Sequence, residues 1–287
     1  YVAFMDPDDY YPDRDVLKTL YEKASENSAL ICGGSFCENH GGRIRKRFSS
    51  SLGGYTFTAK SMIRYSDYQF DYGFHRFIYN RNMLKTNHVC FPSYSRFQDP
   101  PFFVQAMITA GQFYALPMIT YCYRWGHKTK WDKETTNDLV RGITDNLKIS
   151  GEYGLAKLHA ITARRLNFEY LNIILDNITE DNLSLIDLLR SAESLIQKEL
   201  LEQAGLKRME TLRLRSMLSS DRTGVLLRVN KRNKDIQGRW DSVLRSLPLG
   251  LGHRAHDLSR KVLTLMRIWE LFGPRGVQDA VFYKLAG

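Results

Sequence analysis

Three aspartates stand at positions 6, 8 and 9, directly behind an apolar run, in "YVAFMDPDD". In extended backbone alternate side chains share a face, so Asp6 and Asp8 are expected on one side and Asp9 on the other. Two hard oxygen donors at a strand end of an open α/β sheet suit Mg²⁺ or Mn²⁺, cations that keep waters and bridge to substrate phosphates. Ordinary loop carboxylates are the competing reading, and spacing alone leaves both open. Asp13 and Asp15 fall in the first turn of the next helical segment, where acids favour the helix dipole. Asp99 precedes Pro100-Pro101 and a further helical run, an N-cap context. Arg124, His127 and Lys128 follow a strand-like run. A guanidinium there offers phosphate a planar fork of donors, and a surface ion pair is the plain alternative.

The elements that must position these groups alternate. "YVAFM" reads as a strand, "PDRDVLKTLYEKASENSA" as a helix with Pro12 in its first turn, and "ALICGGSFC" as a second strand. "GGRIRKRFSSSLGGY" reads as a loop or hairpin, and "DYGFHRFIYNRNMLKTN" as a strand or short helix entering a turn. "PPFFVQAMITAG" predicts a helix stopped by Gly111, and "QFYALPMITYCYRWGH" a strand. This alternation predicts an α/β layer over residues 1–130. From residue 131 apolar positions recur at three- and four-residue spacing, which predicts a helical region over 131–206 and a basic helical region over 207–287.

The 287 residues are 43% hydrophobic, enough for a sizeable core in one large or two small domains. The formal charge of +10 is uneven: residues 1–206 hold 24 Lys+Arg against 24 Asp+Glu, and residues 207–287 hold 17 against 7. A neutral body with a basic tail is unlike a uniformly basic nucleic-acid binder, and no nucleic-acid module is legible. Cys32, Cys37, Cys90 and Cys122 show no zinc or CxxC spacing and read as free thiols. Asn177-Ile178-Thr179 matches a glycosylation acceptor, a short motif of little weight. No run of eighteen apolar residues occurs, so no membrane-spanning helix is expected.

"YVAFMDPDD" resembles the strand and D-x-D motif of family 2 glycosyltransferases, which have the GT-A fold. "GFHRFIYNRNMLKTNHVCFPSYSRFQDPPFFVQAMITAGQFYALPMITYCYRWGHK" resembles the second half of the same catalytic domain, where a Glu-Asp pair opens a helix and a strand ends in Tyr-x-Tyr-Arg. The resemblance covers residues 1–130. It implies the C-terminal portion of a GT-A, Rossmann-like domain followed by a helical region, with the family's nucleoside-binding half expected ahead of Tyr1. It implies further that Asp6 lies near the nucleotide, that Asp8 ligates Mg²⁺ or Mn²⁺ on the diphosphate, and that Asp99 is the catalytic base. Arg124 and His127 would hold the diphosphate. Gln98 stands where the family has Glu, so a carboxylate contact is missing from that position.

An inverting transfer from a nucleotide sugar, a UDP-sugar first among them, to a glycan or lipid-linked acceptor follows from this resemblance. Surface polysaccharide or cell-wall polymer synthesis would be the setting, in the cytoplasm or peripherally on the inner face of the membrane. Arg76, Tyr79 and Arg81 lie where acceptors approach, although aromatic residues at that spacing also suit core packing. Residues 258–272 place Leu258, Val262, Leu265, Met266, Trp269 and Phe272 on one helical face, which could lie on an anionic membrane surface or pack on the preceding helices. Two other classes remain: a non-catalytic basic membrane-surface or scaffold module with a degenerate transferase segment, and a hydrolase using Asp8 and Asp99.

Overall fold

The computed structural model describes residues 1–48, 50–126, 130–205 and 211–246. Six strands form one sheet: β1 (Val2–Ala3), β2 (Ile31–His40), β3 (Arg43–Arg45), β4 (Ser61–Arg64), β5 (Phe77–Tyr79) and β6 (Gln112–Arg124). Their order is β1-β5-β2-β6-β4, with β3 paired to β2. β2 and β6 are parallel and every other pair is antiparallel. Hence β1, β2 and β6 run the same way, their carboxyl ends open on one edge, and the chain entering β5 arrives there too.

Helices α1 (Val16–Glu26), α2 (Tyr65–Tyr68), α3 (Arg81–Thr86) and α4 (Asp99–Ala110) accompany the sheet. α1 brings Val16, Leu20 and Ala24 against Cys32, Ile78 and Leu116 on one face. α4 brings Phe102, Phe103 and Met107 against Ile31, Phe77 and Phe113 on the other. Covered on both sides, the first seven residues of β2 are all buried, which is why they read as an apolar run rather than an alternation. α1 begins at Val16, later than expected, because Tyr10 is still bridged to Cys122 beside β6. Asp13 and Asp15 therefore stand ahead of the first turn, where Asp15 N–H donates to Asp13 Oδ1 at 2.8 Å. The hairpin expected around "GGRIR" is β2–β3, turned by Gly41 and Gly42 with φ of 59° and 97°, values that suit glycine. All four cysteines are free, and three are buried.

The helical region comprises α5 (Lys133–Glu152), α6 (Ala156–Arg164), α7 (Leu171–Asp176), α8 (Ser184–Ser194), α9 (Lys198–Gln203), α10 (Thr211–Leu218) and α11 (Arg222–Ser246). α5 opens on a capping box between Asp132 and Thr135. Its Leu139, Ile143 and Leu147, four residues apart, form one stripe that packs with Leu185, Ile186 and Leu189 of α8. Two sets of polar contacts are among those that tie these helices to the sheet layer. Asp71, ahead of β5, pairs with Arg165 and accepts from Asn146 Nδ2 at 3.1 Å, all buried, while the Arg165 guanidinium lies 3.5 Å over the Tyr72 ring. The segment ahead of α4 is pinned to α5: Ser95 N–H and Oγ donate to Asp138 Oδ2 at 2.8 and 2.9 Å, and Tyr94 donates to Asp145 at 2.8 Å. Residues 258–272, read as an amphipathic helix, lie outside the described residues.

Candidate active site

Phe4, packed among Phe74, Tyr79, Phe91 and Phe102, fixes the exit from β1. The chain then turns instead of continuing extended, because Pro7 sits at the second position of a turn closed by Asp9 N–H to Asp6 C=O at 3.1 Å. The turn overrides the expected alternation: Asp6, Asp8 and Asp9 each bring a carboxylate oxygen within 4.8 Å of the other two.

The three carboxylates are not equivalent. Asp9 is buried and fully engaged, accepting from Tyr121 Oη at 2.7 Å on one oxygen and from Arg124 N–H at 2.7 Å on the other. Burial pushes its pKa up, and those two bonds oppose the rise. The same Tyr121 hydroxyl accepts from Asp6 N–H at 3.1 Å, so one oxygen atom fixes both sides of the turn. Asp6 is about half exposed and its Oδ2 lies 3.1 Å from His75 Nε2. The His75 contact holds the Asp6 carboxyl below the usual carboxylate range against the upward push of burial. Asp6 and Asp8 are two hard oxygen donors on the same turn, and that set fits a Mg²⁺ or Mn²⁺ ion completed by water and phosphate oxygens.

Asp99 is the first residue of α4, not its cap; Gln98 occupies the cap position without a side-chain bond. The Asp99 carboxylate accepts from its own backbone N–H at the start of the helix. Burial raises its pKa, while His75, its own backbone N–H and Arg96 pull it down. Phe97, two residues earlier, is held at φ +62°, and Gly142 of α5 comes so close that a Cβ there would lie 2.5 Å from the Phe97 carbonyl oxygen. Arg124 ends β6 with its guanidinium 5.1 Å over the Tyr10 ring, exposed, at the edge where Asp9 is held. His127 and Lys128 lie outside the described residues.

Asp6, Asp8, Asp99 and Arg124 thus converge on the carboxyl edge of the sheet, where open α/β sheets bind ligands. Arg76 and Tyr79 do not: Arg76 is fully buried, donating to the Gly34 and Gly54 carbonyls, and Tyr79 lies in the core. Sequence reasoning missed His75, Tyr121 and Arg96. Only the antiparallel placement of β5 brings His75 to Asp6, and no spacing in the sequence signals it.

No protein-family model matches the chain, and no curated protein matches it in sequence. Solved structures of TarS from S. aureus are similar in fold. The 1–349 fragment in complex with UDP-GlcNAc superposes with a TM-score of 0.55 at 16% identity, covering 82% of this chain and 67% of that one. The fragment with UDP gives 0.54 at 15%, covering 82% and 66%. A longer TarS structure gives 0.55 at 15% identity, and there the chain spans 39% of the other's length. At such identities the likeness is one of fold, and the chain shares the mixed α/β fold of these TarS structures.

Proposed function

We propose that the chain moves a sugar from a nucleotide sugar, a UDP-sugar foremost, to a glycan or lipid-linked acceptor with inversion at the anomeric carbon. The observation that carries this reading is the cluster of Asp6, Asp8 and Asp9 at the carboxyl edge of the sheet, with Asp99 opening α4. The related fold holds UDP-GlcNAc in TarS, which supports the choice of donor. Asp6 and Asp8 would hold Mg²⁺ or Mn²⁺, which supplies Lewis-acid help to a departing diphosphate. His75 and Tyr121 orient Asp6 from its side chain and its backbone. Arg124 offers the diphosphate a planar fork of donors. Asp99 takes the acceptor hydroxyl's proton as that oxygen attacks the anomeric carbon, and a pKa raised by burial makes it a better proton acceptor. Beside it Gln98 presents an amide where the family has a carboxylate.

The proposed setting is surface-polysaccharide or cell-wall polymer synthesis on the inner membrane face. No helix among the described residues is long and apolar enough to cross a membrane. Nucleotide release from a panel of UDP-, GDP- and dTDP-sugars with Mn²⁺ tests the reading. Release from one donor, lost in folded Asp8→Asn and Asp99→Asn proteins, is expected. Silence across the panel with acceptors present would leave the scaffold reading, and full-rate sugar release without acceptor would make the chain a hydrolase.

A further inference from the structure

The cationic hairpin β2–β3 has no part in the donor chemistry, yet it stands on the face that carries the site. Register fixes this. Phe36, Glu38 and His40 of β2 alternate along one face, Tyr121 and Tyr123 pair with Phe36 and Glu38 from β6, and Arg45 and Arg43 pair with Glu38 and His40 from β3. Tyr121 is the hydroxyl that holds Asp6 and Asp9. One step outward the Tyr123 ring stacks 6.3 Å from Phe36. A further step outward Trp125 lies against the His40 ring at 5.1 Å and is 61% exposed. A ladder of aromatic rings therefore leaves the carboxylate cluster buried and reaches solvent at Trp125, with Arg43 and Arg45 alongside. Glu38 offsets part of that charge, lying 3.3 Å from Arg45, while Arg43 is exposed and Lys46 and Arg47 follow.

We propose that this face binds the acceptor and that the acceptor is an anionic glycan, its saccharide rings lying on Tyr123 and Trp125 and its phosphate or carboxylate groups held by Arg43 and Arg45. This rests on the transferase reading for the word acceptor, but the binding stands separately. Flat amphipathic rings give contact area to sugar faces at low entropic cost, and guanidinium forks match phosphate and carboxylate. The mixture of Glu38 with the arginines, and the continuity of the rings with Asp6 and Asp9, favour a polymer threaded towards the site over a lipid surface.

Binding of phosphomannan oligosaccharides to the chain tests this, with neutral mannan oligosaccharides and phosphatidylglycerol vesicles as the other probes. Phosphomannan is expected to bind, weakening as salt rises, and neutral mannan to bind at least about tenfold more weakly. Trp125→Ala and Arg43→Ala each lower phosphomannan affinity about tenfold, and Trp125→Tyr retains it. Both positions are exposed, so thermal midpoints stay unchanged. Equal binding of the neutral and charged sugars, or indifference to both alanine substitutions, would overturn the proposal. So would vesicle binding lost in those variants with no oligosaccharide bound, which would make the face a membrane contact. Donor turnover, measured alongside, separates the two readings: phosphomannan bound without turnover sinks the transferase alone, and turnover without phosphomannan binding sinks the platform alone.

Discussion

Replacing Gly142 by alanine sets two effects against each other, and the structure says which wins. In a helix interior Gly→Ala gains about 1 kcal/mol. Here the new Cβ would stand 2.5 Å from the Phe97 carbonyl oxygen and 2.8 Å from its ring. Overpacking of that kind costs about 1–3 kcal/mol where neighbours cannot relax. Relaxation is blocked on both sides: Ser95 and Tyr94 are anchored to Asp138 and Asp145 of the same helix, and Phe97 already sits at a positive φ. The strain must pass forward into Gln98 and Asp99. Gly142→Ala is therefore expected to lose about 1 kcal/mol of stability in urea titration. Donor turnover should fall at least about tenfold, since a displacement near 1 Å at a catalytic group costs far more in rate than in stability. A more stable protein with unchanged turnover would show that helix propensity governs this position and that α5 does not buttress Asp99.

Two other perturbations follow from buried charge. Asp71→Asn leaves the buried Arg165 cation with only the more distant Glu169 carboxylate, 3.6 Å away, and a loss of at most about 3–5 kcal/mol is expected in urea titration. Burial pushes the Asp138 carboxyl up, but the two Ser95 bonds and Arg141 more than offset it, so its pKa lies below the usual value. A depressed carboxyl stabilises the fold above its unfolded pKa and loses that contribution as pH falls through the folded value. Wild-type protein should accordingly lose more stability between neutral pH and about pH 2 than Asp138→Asn does. Parallel pH profiles of the two proteins would refute the assignment.

The strands and helices around the site were legible because their coverage is simple: a run buried on both faces for β2, a Pro-Pro start and Gly111 stop for α4. Asp6, Asp8, Asp99 and Arg124 were legible as candidates from order along the chain. Their setting was less so. Asp-Pro-Asp-Asp is itself a turn signature, and reading it as extended strand put Asp9 on the wrong side. Asp9 then proves to be the carboxylate that locks the turn to β6, a role visible only once Tyr121 and Arg124 are placed beside it. His75 sits in a stretch so rich in aromatic residues that packing explains every neighbour, and its approach to Asp6 depends on strand order alone. Arg76 shows the reverse case, a cation beside that site whose donors are all turned into the core.

The Asp71–Arg165 pair also bears on modularity. A charged pair with both partners withdrawn from water makes a poor place to divide a protein. Severed between β6 and α5, the sheet layer would keep Asp71 without its cation, and the helices Arg165 with only Glu169, 3.6 Å away, beside it. Neither fragment would inherit an intact surface. The helical region is thus no detachable appendage that could be exchanged between relatives without altering the sheet layer. Recombination at this seam would have to carry both charges or replace both by apolar residues at once.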